Sequence, residues 1–513
     1  MRGRVGLGKS GERGTMRRPE RDPDVRIRSA SRPVSVLGVW VLATLLVACG
    51  GQTGVRAAPA AAADTMAAAR PDSATAGLVG GGDTSLVRVA REVLPAVERE
   101  SGLAATRPLA VARTTRKRLE TYMLGEFEQD LPPARARAVE ETYSRLGLLP
   151  DSLDLPTFLR KLYLEQVVGY YDPGRDTLYV REGVTDAEFR PVLVHEMTHA
   201  LQDEHMDLDS LMRARQDDND ATTAAHAALE GQATYVMLEW LLRQRTGADV
   251  DLATMRSLVD MVSGTDLLSA GASSMPELAS APPFIRASLV FPYQAGLSFI
   301  QALWEGHPGR PAPLGVDMPT STEQVLHPAH FLSDTRDVPT GIRFTADSAS
   351  LEGGWRDAHT DDLGEFETRF FLATFLGDTA RARSAARGWD GDRYRLLRRC
   401  AAGTGAAEDG PAAPSCPEAF VWASVWDGPE AAAAFSTAVD EAFAARYGSR
   451  GAGSRSGPGS PSAADTIPGA GRVITVSRAT MEGRPTVLVI DRPLGVDAAP
   501  IRAAARFRLA GGS

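Results

Sequence analysis

The stretch Val194–His205, VHEMTHALQDEH, holds His195, Glu196, His199 and His205, and its reading decides what kind of chain this is. On a helix, residues four apart stack on one face, so His195 and His199 offer both imidazoles to one point. Glu196 follows about 100° further round, near enough to reach a water at that point without taking a ligand position. In the His-Glu-x-x-His pattern, zinc lowers the pKa of a water toward about 7 and the glutamate accepts its proton. The pattern is incomplete alone, because such a zinc takes a third protein ligand.

Two rules for that ligand compete. One places a histidine six residues past the second, with a glycine between to turn the chain out of the helix. His205 stands there, but the glycine position is Gln202. If the helix continues, His205 is rotated about 600° from His199 and points away. The other rule takes a glutamate from a later helix. Glu230 lies in AHAALEGQATYVMLEW, Ala225–Trp240, among small apolar neighbours where an unpaired carboxylate is costly to bury. The expected ligands are therefore His195, His199 and Glu230, with Glu196 as base and Zn2+ as the ion, a donor set that suits zinc with one open position. His226 shares a helix face with Glu230, and either a place beside the metal or a packed core position fits it. Asp220, near the start of the same helix, is a candidate to hold a histidine Nδ1–H. Tyr293 in FPYQAG and His327 in STEQVLHP stand at turn-like breaks between helices and are candidates to donate to a developing oxyanion.

Upstream, VVGYYD and TLYVRE flank the turn residues PGRD at 173–176, a hairpin signal. Thr185 and Glu188 form a capping box that should start the helix carrying His195. Helices are expected at 85–101, 114–129, 133–146, 155–164 and 219–246, with PLAVAR at 108–113 as a strand. Later segments read as helix alternating with loop. The fold class is α+β, a small sheet beside the His-Glu-x-x-His helix followed by a mostly helical lobe.

The chain has 513 residues and a net charge of −9. Its first 48 residues carry ten Lys/Arg against four Asp/Glu, so the remainder is near −15, which argues against nucleic acid as a partner. That basic start precedes the apolar run Val34–Ala48, VSVLGVWVLATLLVA, too short for a comfortable span of about 20 residues and typical of an export signal. LVAC at 46–49 resembles a bacterial lipobox, in which Cys49 is lipidated and begins the mature chain; the length of the leader makes Met16 an alternative start to Met1. The expected location is the cell envelope, outside the cytoplasm, on a membrane reached through the N-terminal lipid. Cys400 and Cys416 remain; outside the cytoplasm they are either a disulfide, closing a loop of about 16 residues worth roughly 3 kcal/mol, or two buried thiols. The organisation expected is a leader at 1–48, a lipidated, Ala/Gly-rich tether at 49–84, the main domain at 85–447, a linker at 448–471 and a β-rich tail at 472–513, whose RVITVSRA and RPTVLVIDRP read as strands.

HEMTHALQDE, ALEGQATYVM and the hairpin GYYDPGRDTLYV together resemble the gluzincin-type zinc metallopeptidases, and within them bacterial secreted proteins with a HExTHALQD core. The likeness extends through FPYQAGLSFIQALW, STEQVLHP, LGEFETRFFL and GWDGDRY, across roughly 86–447. It implies a zincin fold, a peptide or protein substrate bound along a sheet edge, His195, His199 and Glu230 as ligands, and Glu196 as base. Where thermolysin-like enzymes carry an aspartate four residues after the ligand glutamate, this chain has Thr234. The alternative to an enzyme is a lipoprotein that keeps the scaffold as a binding or assembly factor without turnover.

Overall fold

Helix α1 (Thr84–Ser101) starts at Asp83, whose side chain accepts from Ser85 N and Leu86 N, and stops at Gly102 in the left-handed region, φ 72°. The computed structural model describes residues 77–510 except 167, 264–275, 308, 348–350, 401–415, 449–464 and 468–470. The leader, Cys49 and the tether up to residue 76 lie outside the described residues; the end of the expected tether is instead folded, Val79–Gly80 pairing with Leu109–Ala110.

A four-stranded sheet, in the order β1-β2-β4-β3, comes next to α1: β1 (Val79–Gly80), β2 (Leu109–Thr114), β3 (Gly169–Asp172) and β4 (Thr177–Arg181). The expected hairpin is β3–β4, antiparallel from Gly169↔Val180 to Asp172↔Thr177, with Asp176 in the left-handed region at φ 46°. Because β4 takes β2 on its other side, β3 is left as the sheet edge.

Helix α2 (Asp186–His205) begins at the expected capping box, Thr185 N donating to Glu188 Oε2 at 3.0 Å. It runs unbroken to His205, so no turn intervenes at Gln202. Helix α3 (Asn219–Thr246) is capped by Asp218, which accepts from Ala221 N, and by Gly247 at φ 67°. It is buried nearly all round from Ala224 to Trp240, as a helix apolar on every face must be. Helix α4 (Pro283–Gly306) crosses it at the closest approach two helices can make. A Cβ on Gly296 would sit 1.8 Å from Ala227 O, and one on Gly231 would sit 2.3 Å from the Gly296 carbonyl carbon. Backbones therefore meet directly on either side of Glu230. Gly296→Ala is expected to lower stability by about 1–3 kcal/mol through overpacking, read from the urea midpoint. An unchanged midpoint would mean the helices part freely.

The expected helical lobe is not the end of the fold. β6 (Arg356–Asp361), β7 (Trp389–Arg398), β8 (Glu418–Trp426), β9 (Asp465–Ile467), β10 (Arg472–Met481) and β11 (Arg484–Pro493) make a six-stranded antiparallel sheet, ordered β6-β7-β8-β11-β10-β9. A further pair joins β5 (Gly341–Phe344) to β12 (Phe507–Ala510). The C-terminal 40 or so residues, read from sequence as a tail beyond a linker, are thus part of the body: β11 is hydrogen-bonded to β8 from Thr486↔Val425 to Asp491↔Phe420. Phe420, Trp422 and Trp426 face the main core with Phe435, while Val421 meets Ile501 and Ala423 and Val425 meet Ile342 and Leu509. The C-terminal segment covers the sheet's second face. The architecture is α+β, with both the small sheet and the large one. Among the described residues no helix is long and apolar enough to cross a membrane.

Candidate metal centre

Helices α2 and α3 bring His195, His199 and Glu230 together in the core. His195 Nε2 lies 3.1 Å from Glu230 Oε2 and 3.1 Å from His199 Nε2, and His199 Nε2 lies 3.5 Å from Glu230 Oε2. Zinc bonds to nitrogen and carboxylate oxygen are about 2.0–2.2 Å long, so three corners of a tetrahedron around such an ion are separated by about 3.3 Å. The three observed distances bracket that value, and the donor set, two imidazoles and a carboxylate, fits zinc. His205, at the last residue of α2, turns back to its own helix, with Nδ1 2.9 Å from Leu201 O.

The tautomer of His199 follows from a chain of amides. Gln232 Nε2 donates to Ser101 O at 2.9 Å, which leaves Gln232 Oε1 as acceptor for Gln202 Nε2 at 2.8 Å; Gln202 Nε2 also donates to Leu229 O at 3.1 Å. Gln202 Oε1 must then face His199 Nδ1, 2.8 Å away. Since that oxygen only accepts, Nδ1 carries a proton, which leaves Nε2, on the Glu230 side, as the nitrogen available to a metal. The residue that breaks the glycine rule is therefore the one that orients His199. Its i+3 spacing from His199 is a signal the sequence offers; Gln232 and Ser101 offer none. Gln202→Ala should weaken zinc binding about 10- to 100-fold, measured by competition with a chromogenic chelator, and an unchanged affinity would remove Gln202 from this role.

Glu230 and the two histidines set the charge of the site. Burial works against an ionised Glu230, but the two histidines outweigh it and hold the carboxyl far below its usual range. Burial likewise opposes a charged His199, and Glu230 reverses this, pushing it up to about 9. Burial lowers His195. Its Nδ1 is buried without a hydrogen-bond partner.

Glu196 stands beside the triad with its two oxygens in different states. Oε2 accepts from the Tyr171 N–H of edge strand β3 at 3.1 Å, while Oε1 is buried and has no hydrogen-bond partner among the described residues. Burial pushes its carboxyl up to about 8. Tyr293, 1% exposed, lies in a continuous α4 rather than at a break. Pro292 before it only removes one N–H from the helix ladder. Burial, then the charges of Glu230 and Glu196 and a hydrogen bond to Glu230, hold the Tyr293 phenol well above its usual range. His226 also faces this charge set; burial, aided by His199 against Glu230, lowers it to about 4, and its Nε2 is unpartnered. Thr234 is buried with an unpartnered hydroxyl.

Two sequence candidates belong elsewhere. Asp220 holds no histidine: its Oδ1 accepts from Thr322 N at 3.0 Å and from the Thr322 hydroxyl, under Gly364, where a Cβ would lie 1.7 Å from that oxygen. His327 does sit at a break, between helices Thr322–Leu326 and Pro328–Leu332, but its Nε2 is 3.0 Å from Glu365 and its ring stacks on His330. Both residues are satisfied by tertiary partners away from the triad. Cys400 and Cys416 are joined as a disulfide, Cα–Cα 4.9 Å, beyond the paired ends of β7 and β8.

Residues 351–493 match a family described as a domain of unknown function, DUF8575. That match spans β6 to β11 and the helices between, well under half of the chain, and leaves out the metal centre. Among curated proteins none matches the chain. A crystal structure from Chloroflexus aurantiacus, described as a candidate hydrolase with a novel fold, aligns with a TM-score of 0.29 at 17% identity, covering 48% of this chain and 87% of that one.

Proposed function

We propose that the protein is a zinc-dependent metallopeptidase of zincin-like architecture, held outside the cytoplasm by a lipid on Cys49. The observation that carries the catalytic reading is the convergence of His195 Nε2, His199 Nε2 and Glu230 Oε2 at separations of 3.1, 3.1 and 3.5 Å, with Glu196 beside them. Zinc held by these three residues would act as a Lewis acid and lower the pKa of a water toward about 7.

The remaining work falls to the chain's own groups. Glu196 is clamped through Oε2 by the Tyr171 N–H, so its free oxygen, Oε1, is the one that takes the proton of the attacking water and returns it to the leaving amine. The clamp also ties the base to β3, the unpaired edge of the small sheet. An extended peptide adding to that edge by backbone hydrogen bonds would lie alongside the base. Tyr293, protonated throughout the ordinary pH range, supplies an O–H toward the oxygen that gains charge. The lipid anchor rests on LVAC at 46–49, and Cys49→Ser should move the protein from the membrane to the soluble fraction.

The test is zinc content by elemental analysis of the chain without its first 48 residues, followed by cleavage of a quenched-peptide library with and without a chelator. One zinc per chain with chelator-sensitive cleavage is expected. Zinc without cleavage would favour the binding lipoprotein, and absence of zinc would end the reading.

A further inference from the structure

A second group of metal-ligating side chains lies outside the site already described, where the segment 322–337 meets the ends of β7 and β8. Glu323 stands on the helix Thr322–Leu326, His330 on the helix Pro328–Leu332, and Asp337 in the loop that follows. Their ligand atoms lie within 4.8 Å of one another. His330 Nδ1 is 3.4 Å from Asp337 Oδ2 and 3.8 Å from Glu323 Oε1, the latter beyond hydrogen-bonding reach. Asp337 belongs at the same time to a second triad, with Asp390 at the start of β7 and Asp427 just past β8, again within 4.8 Å.

Glu323 makes this more than a collection of acids. It is 2% exposed, and its Oε1, aimed at His330, is buried without a hydrogen-bond partner among the described residues. A carboxylate oxygen left so is costly unless a proton or a cation meets it. Four carboxylates gather here, and among the described residues the guanidinium paired with them is Arg484, on Asp390, which also accepts from Thr340 Oγ1 at 2.8 Å. Burial, then Asp337, Glu365, Asp427 and Asp390, push Glu323 up to about 10.

We propose that Glu323, His330 and Asp337 form a second divalent-cation site, independent of the His195 centre, with Asp390 and Asp427, grouped around Asp337 in turn, adding negative charge beside it. Carboxylate oxygens dominate the donors and suit hard cations, while the single imidazole favours Mn2+ over Ca2+ or Mg2+. Asp427 is exposed and Asp337 and His330 are partly so, leaving the ion a path in from solvent. The three ligands come from two short helices and the loop after them, and Asp337 also meets Asp390 and Asp427 at the ends of β7 and β8, so the ion fastens the 322–337 segment beside the large sheet. Its role is to hold that junction.

The experiment is Mn2+ titration of the zinc-loaded chain, followed by the electron paramagnetic resonance of free Mn2+, to which zinc is silent. One Mn2+ per chain should bind, and Mn2+ should raise the melting temperature. Asp337→Asn should weaken binding at least about tenfold and lose the thermal shift. Asp427→Asn, an exposed substitution that does not threaten folding, should weaken it as well, and Glu230→Gln should leave it intact. The proposal is overturned if the folded wild type binds no Mn2+, if Asp427→Asn and Asp337→Asn bind it as the wild type does, or if Glu230→Gln is the change that abolishes binding.

Discussion

Glu196→Gln is expected to lower peptide hydrolysis about 10²- to 10⁴-fold, roughly 3–5 kcal/mol of barrier, with zinc content unchanged. The substitution is close to isosteric, and the amide oxygen can still accept from the Tyr171 N–H that now meets Oε2 at 3.1 Å. The side chain should keep its place. What the amide cannot do is accept a proton at the free position, where Oε1 is buried without a partner. Binding and chemistry separate here. His195, His199 and Glu230 hold the ion in the variant as in the parent, and folding stability should move by less than about 1 kcal/mol. A metal-loaded Gln variant that hydrolyses peptides at the parent's rate would move the base elsewhere and remove the reason for the β3 clamp.

The convergence of His195, His199 and Glu230 was legible because it is written locally. The spacing of His195 and His199 fixes one face of α2, the capping box at Thr185 fixes where α2 begins, and the small apolar residues around Glu230 mark a helix buried all round, in which a carboxylate needs a positive partner. The rest depends on contacts that no local pattern carries. Strand β8, EAFVWASVW, is buried on both faces, so it shows no alternation of apolar and polar residues and is hard to tell from a buried helix turn. Its neighbour β7 slips register between Trp389 and Gly391, and its other neighbour β11 arrives from some 60 residues further along. The C-terminal strands could therefore be read as strands, but not as the middle of the sheet. Asp220 and His327 were plausible at the metal because their partners, Thr322 and Glu365, are distant in sequence. Gln202 was visible but read only for what it was not: as a failed glycine it argued against His205, while its i+3 relation to His199 went unused.

Tyr293→Phe carries the second large effect, and it separates a reacting group from a packing residue. Removing one preorganised donor to a developing oxyanion typically costs about 10²- to 10³-fold in kcat, and that loss is expected here with KM little changed. A merely structural tyrosine would behave differently. Its hydroxyl meets the Glu230 carboxylate, and burial with the charges of Glu230 and Glu196 keeps it protonated; Glu230 retains His195 and His199 when the hydroxyl is deleted, so stability should stay nearly level. The aromatic ring, which fills the core at 1% exposure, is retained. Backbone position is held too, because Gly296, one turn further along α4, locks that helix against Ala227 and Gly231 on the helix that carries Glu230. A variant with full zinc, an unchanged or higher melting temperature and kcat down at least about 10²-fold would place the O–H at the reacting carbonyl. Should kcat stay within about twofold of the parent, the oxyanion donor is another group, and His226, whose unpartnered Nε2 faces the same charges, is the next to replace.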